Sequence, residues 1–242
     1  MTRSEKIPWK RISVEAAAIV ASILLAFAID AWWAERLERI AEREELSRLY
    51  EEIASNYERL DSWVSEGGYV HRQKEAALNV SETLNAALKD GSATVLLSDR
   101  QIAQIIITPT FEAEMSVYDG LVRSGRVEII ENRIIVKAIA VWERRLRSAN
   151  DEEQRGLRFV NEKLFPALVA NNNVQHILLM RLGEKQMTSV DPSRMTEIRV
   201  DPLLVNLAAE RYVQLTDIHG WLGGIRNAAD DVMSEIAKSI EE

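Results

Sequence analysis

Between Trp9 and Glu66 the chain contains neither glycine nor proline, and no other feature constrains its fold so strongly. A run that long without either strong breaker reads as helix. Its first third, "EAAAIVASILLAFAIDAWW" from Glu15 to Trp33, is nearly all apolar. The 22 residues from Ile12 to Trp33 span about 33 Å at ~1.5 Å per residue, enough to cross a hydrocarbon layer of ~30 Å. Trp9, Lys10 and Arg11 at one end and Trp32 and Trp33 at the other would lie at the two headgroup levels, where an indole buries its ring and keeps its N–H wet. The chain therefore divides into a basic tail (1–11), a transmembrane anchor helix (12–33) and a soluble helical bundle (34–242).

A cleavable signal peptide is the rival reading, because Ala26-Phe27-Ala28 has the small-x-small form of a cleavage site. The helical pattern continues past that point, which favours a permanent anchor. Arg3, Lys6, Lys10 and Arg11 against Glu5 make the tail basic in a chain of net charge −8, so the positive-inside rule places the N-terminus in the cytoplasm and the bundle across the membrane. An acidic body gives no support to nucleic-acid binding.

Within the span, Ala18, Ser22, Ala26 and Asp30 recur every four residues on one face. Small and polar residues at that spacing let a second membrane helix approach closely, and they mark the expected contact with a partner. Glu15 and Asp30 sit near the ends of the span, where a carboxylate reaches the headgroups; a homo-oligomeric pore around them is the alternative.

Beyond Trp33 the stem helix (34–65) carries an apolar stripe at Leu46, Leu49, Ile53, Tyr57, Leu60 and Val64, with Glu35–Arg39 and Glu44–Arg48 as i,i+4 pairs. Gly67-Gly68 ends it, and a second helix runs to about Lys89, before the Asp90-Gly91 turn. Asp99 is the expected cap of a helix over Arg100–Ile107, stopped by Thr108-Pro109. Another helix is expected from Phe111 to Gly125. One capped by Asn132 should reach Pro166 with a bend at Gly156, and a short one should cover Val174–Leu182. The irregular stretch from Gly183 leads to Asp201-Pro202, cap and first-turn proline of the final long helix (202–240). On it Leu215, Ile218, Leu222, Ile225, Ala229, Val232 and Ile236 alternate steps of three and four, a bundle seam whose natural partner is the stem. Gly220, Gly223 and Gly224 permit close approach. No strand pattern of convincing length appears, so the fold class is all-α: a single N-terminal transmembrane helix continuing into an elongated antiparallel bundle.

Two motifs resemble a bacterial family of unknown function that joins an N-terminal membrane helix to a helical body. Asp30 and Trp32 are similar to the acidic-or-amide-plus-Trp end of that family's membrane helix, and Tyr118, Leu121, Ser124 and Gly125 to its central Y-x-x-L-x-x-S-G pattern. The resemblance to this bacterial family implies the architecture and no activity; the basic tail, by the positive-inside rule, makes the expected location a bacterial inner membrane with the bundle in the periplasm. Read from the residues alone, Ser124-Gly125 is a helix stop.

Catalytic signatures are missing. There is no cysteine, no H-E-x-x-H, no G-x-S-x-G, no P-loop and no G-x-G-x-x-G, and no two of His71, His176 and His219 are spaced to hold one metal from a helix face. Paired carboxylates such as Glu51-Glu52 and Asp230-Asp231 read as solvated faces. The expectation is a non-enzymatic protein without metal or cofactor. Its partners are the lipid bilayer and other membrane-protein subunits, in an assembly of the respiratory or photosynthetic kind. A periplasmic sensor signalling through another protein is the second reading.

Overall fold

A computed structural model describes residues 9–170, 172, 174, 177 and 194–241, with side chains in the first helix given for Glu15 and from Ala17 on. The basic tail before Trp9, the side chains of Trp9, Lys10 and Arg11, His176 and most of the expected Val174–Leu182 helix lie outside that set.

Helix α1 runs from Trp9 to Val64, 56 residues without interruption, so the apolar span and the stem are one rod of about 84 Å. At its end Gly67 takes φ +73, and Gly68 turns so tightly that a Cβ there would sit 2.5 Å from the Trp63 carbonyl oxygen. Any larger residue would collide with main chain at that corner. Helix α2 (Tyr69–Asp90) follows, closed by Gly91 in the left-handed region. Strand β1 (Thr94–Ser98) leads into α3 (Asp99–Ile106), then come α4 (Ser116–Arg123), a 3-10 turn (Arg126–Ile129) and α5 (Arg133–Phe159). A π turn (Val160–Leu164), α6 (Phe165–Ala170), strand β2 (Met195–Arg199) and α7 (Pro202–Glu241) complete the described elements.

Helix α7 is the shared wall. Its 40 residues extend about 60 Å and pack antiparallel to everything long. His219 bonds the Val64 carbonyl, Arg226 pairs with Asp61 at 2.9 Å, and Leu46 shares a cleft with Ser239, which fixes α1 and α7 as antiparallel. Helix α2 continues in the direction of α1: His71 meets His219, while Val80 and Leu84 join the cluster that includes Leu204 and Leu207. On the other side Lys137 lies beside Glu235, and a Cβ on Gly156 would come to 3.3 Å from Ile218, so α5 is antiparallel to α7 as well. The result is an all-α bundle with two stacked cores. One joins α1, α4, α5 and the C-terminal half of α7; the other joins α2, α3, α6, the two strands and the N-terminal half of α7. Leu215, Ile218, Leu222, Ile225, Ala229, Val232 and Ile236 are all 2% exposed or less, and Leu49, Ile53 and Leu60 face them from α1. Asp201 caps α7 through the Leu203 N–H, and Asn132 caps α5 through the Ile134 N–H.

Several local expectations need correcting. Strands β1 and β2 form an antiparallel pair in which Val95 faces Ile198 and Leu97 faces Thr196. Five residues per strand and about a hundred between them hide the pairing from any local pattern. The cap of α3 is Ser98, not Asp99: its hydroxyl accepts the Gln101 N–H while the Gln101 side chain accepts the Ser98 N–H, a reciprocal capping box. Helix α4 starts at Ser116 rather than Phe111. Helix α5 passes regularly through Gly156, and its irregularity comes at the π turn, after which helix continues past Pro166. Pro166 has no N–H for the Glu162 carbonyl, and its ring would crowd that oxygen; widening the turn relieves both, with the Phe165 N–H reaching back five residues to Val160. Arg48 pairs with Glu45 at 3.6 Å, not with Glu44. Of the three α7 glycines only Gly224 admits a neighbour, the Arg145 guanidinium; Gly220 and Gly223 meet nothing.

If the seam of α7 holds both α1 and α5, Ile225→Asp should abolish cooperative thermal unfolding of the detergent-solubilised chain, because it buries an unpaired charge at a cost of several kcal/mol. Asp230→Ala, on the exposed face, should change the midpoint little. Equal melting of the two variants would refute the seam.

Candidate functional site: a polar clamp on the returning chain

Thr108-Pro109 stops α3, and the chain then crosses from the distal core back toward α4 in extended form. Ile107 already has φ −100 and ψ 124. Its main-chain groups have no ladder or helix to join, yet they run between buried helices, so side chains must satisfy them. Those side chains come from all four long helices.

From α7, Arg211 is fully buried; its Nε donates to the Ile105 carbonyl at 2.8 Å, and a terminal nitrogen donates to the Ile107 carbonyl at 2.9 Å and the Thr108 hydroxyl at 3.2 Å. A cation on the last carbonyls of α3 also complements the negative end of that helix. Burial pushes the guanidinium pKa down to about 9, which leaves it charged at neutral pH. From α2, Gln73 donates to Ile107 and Gln104. From α5, Glu153 accepts the Phe111 N–H at 2.9 Å. From α1, Asn56 takes Glu114 by both main-chain groups, donating to its carbonyl at 2.8 Å and accepting its N–H at 2.9 Å, while Arg59 donates to the Glu112 carbonyl and pairs with the Glu114 carboxylate at 3.2 Å.

Glu52 completes the row on α1. Its carboxylate accepts from Ser116 Oγ and from the N–H groups of Val117 and Tyr118 at 3.0, 2.7 and 3.1 Å. Met115, at the cap position of α4, supplies no side-chain bond, so Glu52 caps that helix from another element and places a negative charge at its positive end. The reading of Glu52 as part of a solvated pair is therefore wrong, whereas Glu51 beside it is exposed. Tyr118 turns its hydroxyl to Glu143 on α5 at 3.0 Å; burial first, and that carboxylate second, raise its pKa to about 12. Ser124 ends α4 with its N–H on the Gly120 carbonyl, and Gly125 takes φ +71, which makes the Y-x-x-L-x-x-S-G stretch a helix ending.

A smaller polar knot ties the distal sheet. Asp99, buried at the first turn of α3, accepts from the Thr196 hydroxyl and lies 3.3 Å from Arg194. At the corner between α1 and α2, the rings of His71 and His219 stand 6.0 Å apart, with His219 Nε2 2.8 Å from the Val64 carbonyl. Burial, then the neighbouring cations, lowers the pKa of His219 despite that bond. Among the described residues no three or more His, Asp or Glu side chains gather as a metal site.

The sequence-derived contact residues of the span lie elsewhere. Ala18, Ser22, Ala26 and Asp30 are exposed on α1, with the Ser22 hydroxyl bonded back to the Ala18 carbonyl at 2.8 Å. Trp32 and Trp33 are 56% and 55% exposed, with the Arg36 guanidinium 5.9 Å from the Trp32 ring. Among the described residues, nothing in the bundle covers this helix before about Ala41. The clamp residues were not foreseen. Glu52, Asn56 and Arg59 at i, i+4 and i+7 flank the apolar stripe, and that spacing was the available signal.

Compared with known proteins, the chain matches no family model, no curated protein and no solved structure.

The clamp is worth most where one side chain serves two main-chain groups. Asn56→Ala strands the N–H and carbonyl of Glu114 and should lower unfolding free energy in urea by about 2–4 kcal/mol. Asn79→Ala, which breaks only an exposed bond to the Glu75 carbonyl, should stay within about 0.5 kcal/mol. Indistinguishable urea midpoints would show that the clamp adds nothing to the fold.

Proposed function

We propose that this protein is a non-catalytic, membrane-anchored accessory or scaffold subunit of a larger membrane complex of the bioenergetic kind. In this reading α1 docks on partner helices through Ala18, Ser22, Ala26 and Asp30, and the bundle covers or bridges subunits. One observation carries the reading: α1 contains an 18-residue stretch of mean hydropathy 1.9, none of it buried, and passes without a break into a packed bundle. A helix long and apolar enough to cross a membrane, continued as a rigid stem, suits a protein that holds a folded body at a fixed height above lipid. The polar side chains buried in that body serve its own main chain, which suits holding rather than turnover. The basic tail supports a cytoplasmic N-terminus and a periplasmic bundle in a single-pass inner-membrane topology, and the likeness of Asp30-x-Trp32 and of the Tyr118–Gly125 stretch to the bacterial family belongs to the same proposal.

Two measurements test it. A reporter active only outside the cytoplasm, fused after Glu242, should be active, and activity of a cytoplasmic reporter alone would reverse the topology. Ala18→Leu with Ala26→Leu should leave membrane content unchanged, since added methylenes favour partition. Co-purification with other membrane proteins should fall, because overpacking a close helix contact costs ~1–3 kcal/mol. Ile19→Leu with Ile23→Leu is the control. Equal co-purification by both double variants would end the docking proposal.

A further inference from the structure

The extended segment between α3 and α4 presses one side chain on the corner where α1 gives way to α2. Phe111 meets the Trp63 ring edge-on at 5.7 Å, Trp63 in turn meets Tyr69 at 5.5 Å, and the Arg59 guanidinium lies 5.0 Å from the Phe111 ring. Trp63 belongs to the last turn of α1 and Tyr69 opens α2, so Phe111 is a wedge against the corner. Its own main chain is held there by one carboxylate, Glu153, which accepts the Phe111 N–H.

Glu153 is poorly suited to carrying charge in that place. The residue is 5% exposed, and among the described residues no cation stands within ion-pair distance of it. The charged groups around it are otherwise engaged. On the segment itself Glu112 repels it. On α7, Arg211 lies beside Gly156, one turn along α5, with its donors on Ile105, Ile107 and Thr108. On α1, Arg59 bonds Glu112 and Glu114. On α5, Glu152 is paired with Arg155. A carboxylate with one donor and no counter-charge in a dry site favours its neutral form.

We propose that Glu153 is a proton-operated latch on the Phe111 wedge, closed when its carboxyl is protonated and loosened when it is charged. The sign follows from linkage. Burial, opposed by the Phe111 N–H and aided by Glu112, raises the pKa from 4.5 to about 7 in the closed arrangement. With the segment lifted, the carboxyl meets water and returns to its ordinary value. The closed form thus binds the proton more tightly: its advantage is complete below the ordinary value and is lost as pH rises through about 7. A loosened wedge frees the α1–α2 corner at neutral and alkaline pH, and a tightened one stiffens it in mild acid.

Hydrogen exchange of the full chain in lipid nanodiscs reads this directly. After correction for intrinsic base catalysis, opening at the Phe111 amide should rise about tenfold from about pH 6 to about pH 8, as the two pKa values require. In Glu153→Gln, which cannot ionise, the same opening should be independent of pH. A flat wild-type profile, or an equal slope in the Gln variant, overturns the latch. Should the Gln variant fail to fold, titration of the wild-type Glu153 carboxyl carbon by NMR decides the matter: a midpoint near 7 supports the latch, and a midpoint at the ordinary acid value overturns it. Glu112→Gln, by removing the like charge, should move that midpoint down.

Discussion

Two long stretches, α1 with α2 and α5 with α6, run in the same direction along one partner, α7. Parallel neighbours cannot be joined by a tight turn. The chain must return from the distal end at Asp90 to the start of α5 at Arg133, and it does so through short elements and extended backbone laid between packed helices. Polar main chain in such a place has to be satisfied from outside itself. Most of the unusual features follow from that requirement: a buried arginine bonded to carbonyls rather than to a carboxylate, an asparagine gripping one residue by both main-chain groups, and a glutamate capping a helix from another element.

Charged groups buried along this path are spent on the main chain. Arg211, Glu153 and Glu52 point at main-chain atoms of residues 105–118, and each answers a definite deficit there. The perturbed ionisation of Arg211 and Glu153 reports dehydration imposed by the return path.

Features governed by neighbours in sequence were legible from sequence. The apolar span, the three-four seams of α1 and α7, the caps at Asn132 and Asp201 and the stops at Gly67-Gly68 and Gly125 all depend on spacing within a few residues. What escaped depends on residues far apart. Val95 needs Ile198 to be a strand residue, Glu52 needs Val117 to be a cap, and nothing local marks either pairing. Pro166 escaped differently: a proline usually ends a helix, but a single widened turn lets this one continue. The stripe at Ala18, Ser22, Ala26 and Asp30 was readable as a pattern, and the chain alone leaves it facing outward.

The position of α7 as common wall has a consequence for how the protein comes into being. Of the described elements it is the last to leave the ribosome, and neither core can close without it. Until then the apolar stripes of α1, α2 and α5 have no surface to bury against. Closure of both cores thus waits for α7, and the chain made up to that point is an aggregation hazard. A truncation that removes only the last turns of α7 would harm the core that α1, α4 and α5 share, and leave the other its half of the wall.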